Sequence, residues 1–367
     1  MTRWGPVPEW VDGALRILVD CRYTRLTLHD GVGRFTSRLV AELGRRHPVV
    51  MLVSDRRQLA MLPDLPWALG PSPSSPLDAW VAPRAINRLE PDVVFTPLQT
   101  MGPYLRRYRL VTTIHDLIYF RHRTPPRHLP PVLRLGWRVY HATPAIQRHV
   151  LALADAHVTV SETTRRRLVE LGMDARPITV VPNGVDHPAS PPARRAPANR
   201  DILYVGSFMP YKNVATLARA MHRLPGWRLR LVSEVRPRER RALEALAPAG
   251  SLEFLDGASD ADYAALLADA RILASASLDE GFGVPLIDAL AAGTPIAVSD
   301  IEVFHEVAGE HAAFFDPRSP EDAARAIAAL GDDALWERRS RDGEAWSRRY
   351  DWGRSAELLL DALRAVG

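Results

Sequence analysis

Short apolar runs recur along the chain, each followed by a polar or glycine-containing turn and then by apolar positions three or four residues apart. Arg16-Ile-Leu-Val-Asp20 reads as a buried strand, and Gly31-Val-Gly33-Arg34 leads into a helical pattern through Phe35, Leu39, Val40 and Leu43. Further strands are expected at 49–53, 92–96, 111–114 and 157–160, with a long helical segment from about 131 to 153. The stretch 187–199, HPASPPARRAPAN, has four prolines and no apolar periodicity, and reads as a linker. Beyond it the pattern restarts at 202–205, continues with a helix from Val214, and gives strands at 229–232, 252–254, 272–274 and 296–298. Unbroken apolar strands alternating with helices predict parallel sheets covered on both faces. The expected α/β architecture is two Rossmann-like domains, 1–186 and 200–348, with parallel sheets facing across a cleft. Ligands of such sheets bind beyond the carboxyl ends of the strands, so the cleft is the expected site.

Composition narrows this picture. The chain has 367 residues, 47% hydrophobic and 25% charged, enough to bury full cores in two domains. Its 47 basic residues are all arginine except Lys212, a pattern that leaves open whether this lysine is chance or a position where a planar guanidinium cannot serve. Residues 1–185 carry 25 arginines against 15 acids, whereas 186–367 carry 22 basic residues against 28 acids, within a net charge of +4. That asymmetry points to an anionic partner for the first half. The single cysteine, Cys21, excludes a disulfide scaffold and a thiolate zinc cluster. No apolar run approaches the ~18–20 residues that span a bilayer, and the N-terminus lacks the apolar core of a secretory signal. A cytoplasmic protein is expected. Aromatic residues do not interleave with arginines as nucleic-acid binding requires. A NAD dehydrogenase is excluded because no Gly-x-Gly-x-x-Gly opens a helix after the first strand.

The densest chemistry lies in Glu280-Gly-Phe-Gly-Val-Pro-Leu-Ile-Asp288. Pro285 suits the first turn of a helix, and the glycines before it leave backbone N–H groups bare where the helix dipole favours an anion. Glu280 and Asp288 would repel a phosphate, so they suit neutral hydroxyls. Hydroxyl acceptors around an anion-binding helix terminus describe a nucleotide-sugar site; a glycine-rich loop capping a buried helix is the alternative. Asp260-Ala-Asp262 has the spacing of a metal-binding pair but falls at a helix start, where acids act as caps.

The 280–288 segment resembles the E-x7-E signature of retaining glycosyltransferases of family 4, which adopt the GT-B fold. Six other segments agree in order. They are Gly31-Val-Gly33-Arg34, Thr113-Ile-His115-Asp116-Leu117, Val160-Ser161-Glu162, Val181-Pro-Asn-Gly-Val-Asp186, Tyr204-Val-Gly-Ser-Phe-Met-Pro-Tyr-Lys-Asn213, and Ser299-Asp300 through Phe315-Asp316-Pro317.

The resemblance implies a nucleotide-sugar donor held mainly by 200–348 and a glycan or lipid-linked acceptor held mainly by 1–186. Lys212 would hold the donor diphosphate. Gly31 and Gly33 would let the backbone approach it, Glu280 would hold sugar hydroxyls, Asp288 the ribose, and His115 would line the cleft. Backbone amides of Phe282, Gly283 and Val284 would complete the cradle. It also implies a metal-independent front-face reaction with no cofactor, and a C-terminal helix at about 349–367 that packs back on the first domain.

The Pro-Tyr-Lys-Asn turn resembles the mannosyl- and rhamnosyl-transferring branches, which makes GDP-mannose the first donor expected and a UDP-sugar the alternative. A nucleotide-sugar epimerase or a glycan phosphorylase of the same fold fits the E-x7-D spacing less well. Two departures stand out. The second glutamate of the signature is Asp288. The arginine that many members place near the lysine is absent, since those positions are Ser207 and Tyr211. Arg34 is the candidate substitute, and one uncompensated charged donor is worth ~1.5–3 kcal/mol. The absent arginine also supports a second reading, a catalytically weak partner or glycan-binding protein. Finally, the arginine-rich stretch 121–148, with Arg134 and Arg138 four apart, reads either as a solvated face or as a surface for anionic lipid on the inner membrane face.

Overall fold

The computed structural model describes residues 9–27, 30–75, 77–99, 101, 104–125, 131–140, 143–187 and 195–367, with the backbone alone at 131–133, 139 and 140. The chain divides into two compact units, residues 1–184 with 351–367, and residues 185–350.

The first unit holds a seven-stranded parallel sheet. Its strands are β1 (Ile17–Asp20), β2 (Val49–Val53), β3 (Trp67–Leu69), β4 (Val93–Thr96), β5 (Arg109–Ile114), β6 (Ala156–Thr159) and β7 (Ile178–Val180), in the spatial order β3-β2-β1-β4-β5-β6-β7. Its helices are α1 (Gly31–Gly44), α2 (Asp78–Asn87), α3 (Ile118–Arg121), α4 (Pro131–Tyr140), α5 (Pro144–Leu151) and α6 (Glu162–Glu170). The second unit holds six parallel strands, β8 (Asp201–Tyr204), β9 (Arg228–Leu231), β10 (Leu252–Phe254), β11 (Ile272–Ser275), β12 (Ile296–Ser299) and β13 (Ala312–Phe315), in the order β10-β9-β8-β11-β12-β13. Around it lie α7 (Val214–Ala220), α8 (Pro237–Glu244), α9 (Asp260–Asp269), α10 (Val284–Ala291), α11 (Glu302–Ala308), α12 (Pro320–Ala329) and α13 (Asp333–Ser347). The last helix, α14 (Trp352–Arg364), returns to the first unit.

Each sheet reverses strand order once, between β1 and β4 and between β8 and β11. Loops leaving the carboxyl ends of those neighbours part to opposite faces and open a crevice, which is where ligands bind in such sheets. The fold therefore singles out one end of β1, β4 and β5 in the first unit, and of β8 and β11 in the second.

Three strands escape the sequence pattern. β3 and β7 are three-residue strands with partly exposed positions, too short for an apolar run to register. β13 is only Ala-Ala-Phe-Phe. The single helix expected over 131–153 is two, α4 and α5, because Thr143 caps α5 and Pro144 occupies its first turn. A proline inside a helix lacks the N–H and clashes with the preceding turn, so it starts a helix instead. Residues 188–194 of the expected linker lie outside the described residues, as do Arg127, His128 and His141 of the arginine-rich stretch, and the side chain of Tyr140.

α14 is seated on α1 and β7. Asp351 caps it by accepting from the Arg354 N–H at 2.9 Å, and Ser355 Oγ donates to the Pro182 carbonyl at 2.8 Å. A Cβ on Gly184 would fall 2.6 Å from the Trp352 indole, so glycine is what lets the chain pass. At the carboxyl end of β1 a buried ion-pair group fixes the floor of the crevice. Arg22 Nε donates to Asp20 at 2.8 Å and Nη1 to Asp78 at 2.7 Å, with the Arg22 and Asp20 side chains fully buried. Asp78 opens α2, so this bond ties that helix to β1.

His157 on β6 is buried, with Nδ1 2.8 Å from Thr112 Oγ, and burial beside Arg176 pushes its pKa down to about 4. An unfolded histidine titrates near 6.5. The folded state therefore holds stability above pH ~6.5 that is lost as pH falls toward 4, about 3 kcal/mol in all. Chemical denaturation at pH 7.5 and pH 4.5 should show this loss, and His157→Phe should abolish that part of it.

Candidate active site

In the second unit, β8 runs into Val205-Gly206-Ser207 and a single 3₁₀ turn, Pro210–Lys212. Asn213 ends the turn at φ +51°, a left-handed conformation that asparagine tolerates better than most side chains. Its amide donates to the Ala276 carbonyl at 3.1 Å and to the Pro317 carbonyl at 2.6 Å. The Leu278 N–H returns a bond to the Tyr211 carbonyl at 2.7 Å. The loop after β8 is thus stitched to the loop after β11, at the point where the strand order reverses.

That stitching brings together Lys212 and Glu280. Lys212 Nζ lies 2.6 Å from Glu280 Oε1, with both side chains mostly buried. Ser277 Oγ donates to the same oxygen at 2.8 Å. Among the described residues Oε2 accepts nothing, so one carboxylate oxygen is held and the other is available to a hydroxyl. The Tyr211 ring centroid sits 5.4 Å from Nζ. Tyr204 hydroxyl donates to the Ser207 carbonyl at 2.7 Å, and burial, with the nearby Glu280 charge, pushes this phenol well above its ordinary range.

After Glu280 the chain passes Phe282, whose ring meets Tyr350 edge-on at 5.5 Å, and enters α10 through Gly283 at φ +99°. A side chain there would be strained, and its Cβ would approach Phe304 to 2.9 Å. No side chain caps α10: Val284 and Pro285 open it bare. A helix terminus without a cap, a lysine and a carboxylate with one open oxygen suit a diphosphate that bears hydroxyl groups on both sides.

Asp288 lies one turn inside α10, buried, and accepts from the Tyr263 hydroxyl at 3.2 Å. Tyr263 belongs to α9, whose start is Ser259-Asp260-Ala-Asp262. There Ser259 and Asp262 form a reciprocal capping box, so these acids serve the helix. Among the described residues no three His, Cys, Asp or Glu side chains cluster as a metal site would need.

The first unit places the remaining expected residues around β1, β4 and β5. Gly31 and Gly33 are in the first turn of α1 itself, and the Gly33 N–H is taken by the Asp30 carboxylate at 2.8 Å. Arg34 is half-buried on the same turn. His115, just past β5, is partly buried and has Nε2 2.8 Å from the Pro97 carbonyl. A carbonyl only accepts, so Nε2 carries the proton and Nδ1 is the acceptor. Burial lowers the His115 pKa against the pull of that bond and of Asp30, which keeps the ring neutral at pH 7. Phe35 packs edge-on against His115 at 5.1 Å and against Trp352 at 6.2 Å, so the C-terminal helix buttresses the histidine.

The model of the family described as Glycosyltransferase Family 4 matches residues 29–188, and that of Glycosyl transferases group 1 matches 190–347. The chain belongs to the family 4-like glycosyltransferases. It is 33% identical over 227 residues to a phosphatidyl-myo-inositol mannosyltransferase of Mycobacterium tuberculosis, an alignment covering 57% of this chain and 59% of that protein. The chain thus spans less than two thirds of that relative. It is 27% identical over 281 residues to the O-antigen chain mannosyltransferase B of Escherichia coli, covering 71% of each. Sucrose-phosphate synthase from Thermosynechococcus elongatus has the same GT-B fold, with a TM-score of 0.73 at 19% identity over 96% of this chain and 99% of that one.

Of the side chains gathered in this crevice, the sequence motifs supply Lys212, Glu280 and Asp288 but not the side chains that hold them. Ser277 could have been suspected, since small polar residues alternate at Ser275 and Ser277 as β11 ends. Tyr263 carries no signal, because nothing in the chain tells which helix lies against α10. If Asp288 holds a ribose, Tyr263→Phe removes the donor that orients it. GDP binding should weaken about three- to tenfold by calorimetry, the scale of one hydrogen bond that orients a ligand group indirectly, with no change in thermal midpoint beyond a few degrees.

Proposed function

We propose that this protein is a retaining mannosyltransferase that moves mannose from GDP-mannose to a hydroxyl of a glycan or lipid-linked acceptor without a metal ion. The observation that carries the reading is the Lys212–Glu280 pair, stitched at the β8/β11 reversal beside the uncapped start of α10. The names of the two mannosyltransferase relatives support the sugar.

On this reading Lys212 leaves Glu280 for the diphosphate when donor arrives, and Glu280, still held by Ser277, accepts from mannose hydroxyls. Asp288 takes the ribose, and the amides of Phe282, Gly283 and Val284 face the phosphates. As the bond from C1 to the phosphate oxygen breaks, the new bond to the acceptor oxygen forms on the same face. The acceptor proton passes to the departing phosphate, whose charge Lys212 stabilises. His115, neutral and fixed through Nε2, offers Nδ1 to a hydroxyl at the acceptor side. Ser207 and Tyr211, where many relatives have an arginine, leave Lys212 as the cation of this turn, and Arg34 is the proposed second one.

Calorimetry with GDP, UDP and ADP tests the donor. GDP should bind at least about tenfold tighter than either, a difference of ~1.4 kcal/mol. A preference for UDP would overturn the mannose assignment in favour of a UDP-sugar. A contact with the inner membrane face through 121–148 belongs to the same proposal, supported by α4, where Leu135 and Arg138 are exposed. No helix among the described residues is long and apolar enough to cross a membrane. In vesicle flotation, equal binding to neutral and anionic vesicles would remove this contact.

A further inference from the structure

Most exposed side chains of the first unit are polar, but one flank is not. Leu77 is 61% exposed, Trp80 50%, Tyr104 43% and Leu105 52%. They come from the start of α2 and from the connection between β4 and β5, and the Trp80 and Tyr104 rings stack at 5.6 Å and 15°.

The protein holds these groups outward by construction. The first residue of α2, Asp78, is bonded to the buried Arg22 at 2.7 Å. At the other end, Asn87 Nδ2 donates to the Leu105 carbonyl at 2.8 Å, and its Oδ1 accepts from the Arg107 N–H at 2.8 Å. That clamp keeps Leu105 at φ +63°, a conformation that disfavours a leucine. A strained backbone that presents an apolar side chain to water needs a reason beyond the fold.

The surroundings say what would cover it. Arg84, Arg88 and Arg107 are exposed beside the patch. Asn87, Arg106 and Arg107 also border an adjoining depression of about 750 Å³ that Arg16 and Arg109 help to line. Three of its four guanidinium groups are already paired, Arg16 with Asp92 and Arg106 and Arg109 with Asp155, so the positive charge that faces a partner is that of Arg107 together with Arg84 and Arg88. A glycan would use the aromatic rings but not two leucines. Apolar and aromatic groups ringed by arginine match the boundary layer of a bilayer that contains anionic lipid.

We propose that α2 and residues 104–107 form a docking surface for an anionic lipid bilayer, with Leu77, Trp80, Tyr104 and Leu105 entering the interface and the exposed Arg84, Arg88 and Arg107 meeting lipid phosphates. This surface is separate from the 121–148 stretch, and it does not rest on the sugar or donor assigned above. A failed donor assay therefore leaves it standing.

The test is flotation with vesicles of phosphatidylcholine, alone or with about one third phosphatidylglycerol, at low and physiological salt. Wild type should bind the anionic vesicles at least about tenfold better than the neutral ones. Trp80→Gln with Leu105→Asn should weaken that binding by about tenfold or more. Asparagine accepts the left-handed backbone, so the thermal midpoint should hold or rise. Arg84→Gln with Arg107→Gln should remove most of the preference for anionic lipid, whereas Arg134→Gln with Arg138→Gln on α4 should retain the contribution of the patch. The proposal is overturned if wild type ignores anionic vesicles or if the Trp80/Leu105 variant binds as wild type. It is equally overturned if sedimentation shows a wild-type dimer that this variant makes monomeric, since the patch would then be an interface between copies.

Discussion

Lys212→Ala is expected to lower turnover of the nucleotide-sugar donor by about 10³-fold or more, the scale of removing a preorganised charge from a departing anion. The ion pair adds a second cost. Lys212 balances Glu280, so the alanine variant leaves a mostly buried carboxylate without its cation where the diphosphate is proposed to bind. GDP affinity should therefore fall as well as the rate. The double variant Lys212→Ala, Glu280→Gln should recover part of the GDP affinity but not the turnover, because it removes the repulsion without restoring the cation. If the double variant binds GDP no better than Lys212→Ala alone, the two side chains do not share the diphosphate site. Lys212→Arg should also fail, by about 10- to 100-fold, because a guanidinium can engage Glu280 through two parallel bonds and stay there.

Glu280→Gln separates sugar from nucleotide. The amide keeps the shape of the carboxylate, and Ser277 can still donate to its oxygen, but the acceptor of sugar hydroxyls is weakened and one negative charge is gone. The specificity constant for donor should fall by about 10²-fold, the loss of charge-assisted bonds to substrate hydroxyls. GDP alone, which lacks the sugar, should bind as tightly as before or more tightly. Weakened GDP binding would move Glu280 from the sugar to the nucleotide and contradict its assigned role. Steady-state kinetics beside calorimetry on one preparation gives both numbers.

Much of this molecule is legible before any coordinates. Long apolar strands such as 49–53 and 111–114 are found because both faces of a parallel sheet are buried, which leaves an unmistakable run. The chain also shows that acids at 260 and 262 belong to a helix start, and the capping box with Ser259 agrees. What stays hidden depends on who lies beside whom. β3 and β7 exist through pairing with a neighbour, not through their own three residues. The break between α4 and α5 was written at Thr143-Pro144 but was outweighed by the apolar period on either side.

The same holds at the site. Lys212 and Glu280 are each marked by a motif, yet 68 positions separate them, and only the adjacency of β8 and β11 makes them an ion pair. The sequence pattern starts the helix at Phe35, after Gly31-Val-Gly33-Arg34. In the structure Asp30 caps these residues into the first turn of α1, which commits the Gly33 N–H to a carboxylate within the chain. The lone lysine among 47 basic residues is no longer only a compositional oddity, since it stands in the stitched turn after β8 and pairs with Glu280.

A nucleotide-release assay across GDP-mannose, UDP-glucose, UDP-N-acetylglucosamine and ADP-glucose decides whether the Lys212–Glu280 crevice binds and activates a nucleotide sugar. GDP should be released from GDP-mannose faster than nucleotide from the other donors, and the release should be lost in Lys212→Ala. No release from any donor, or release from GDP-mannose that survives Lys212→Ala, would show that this crevice does not activate a donor.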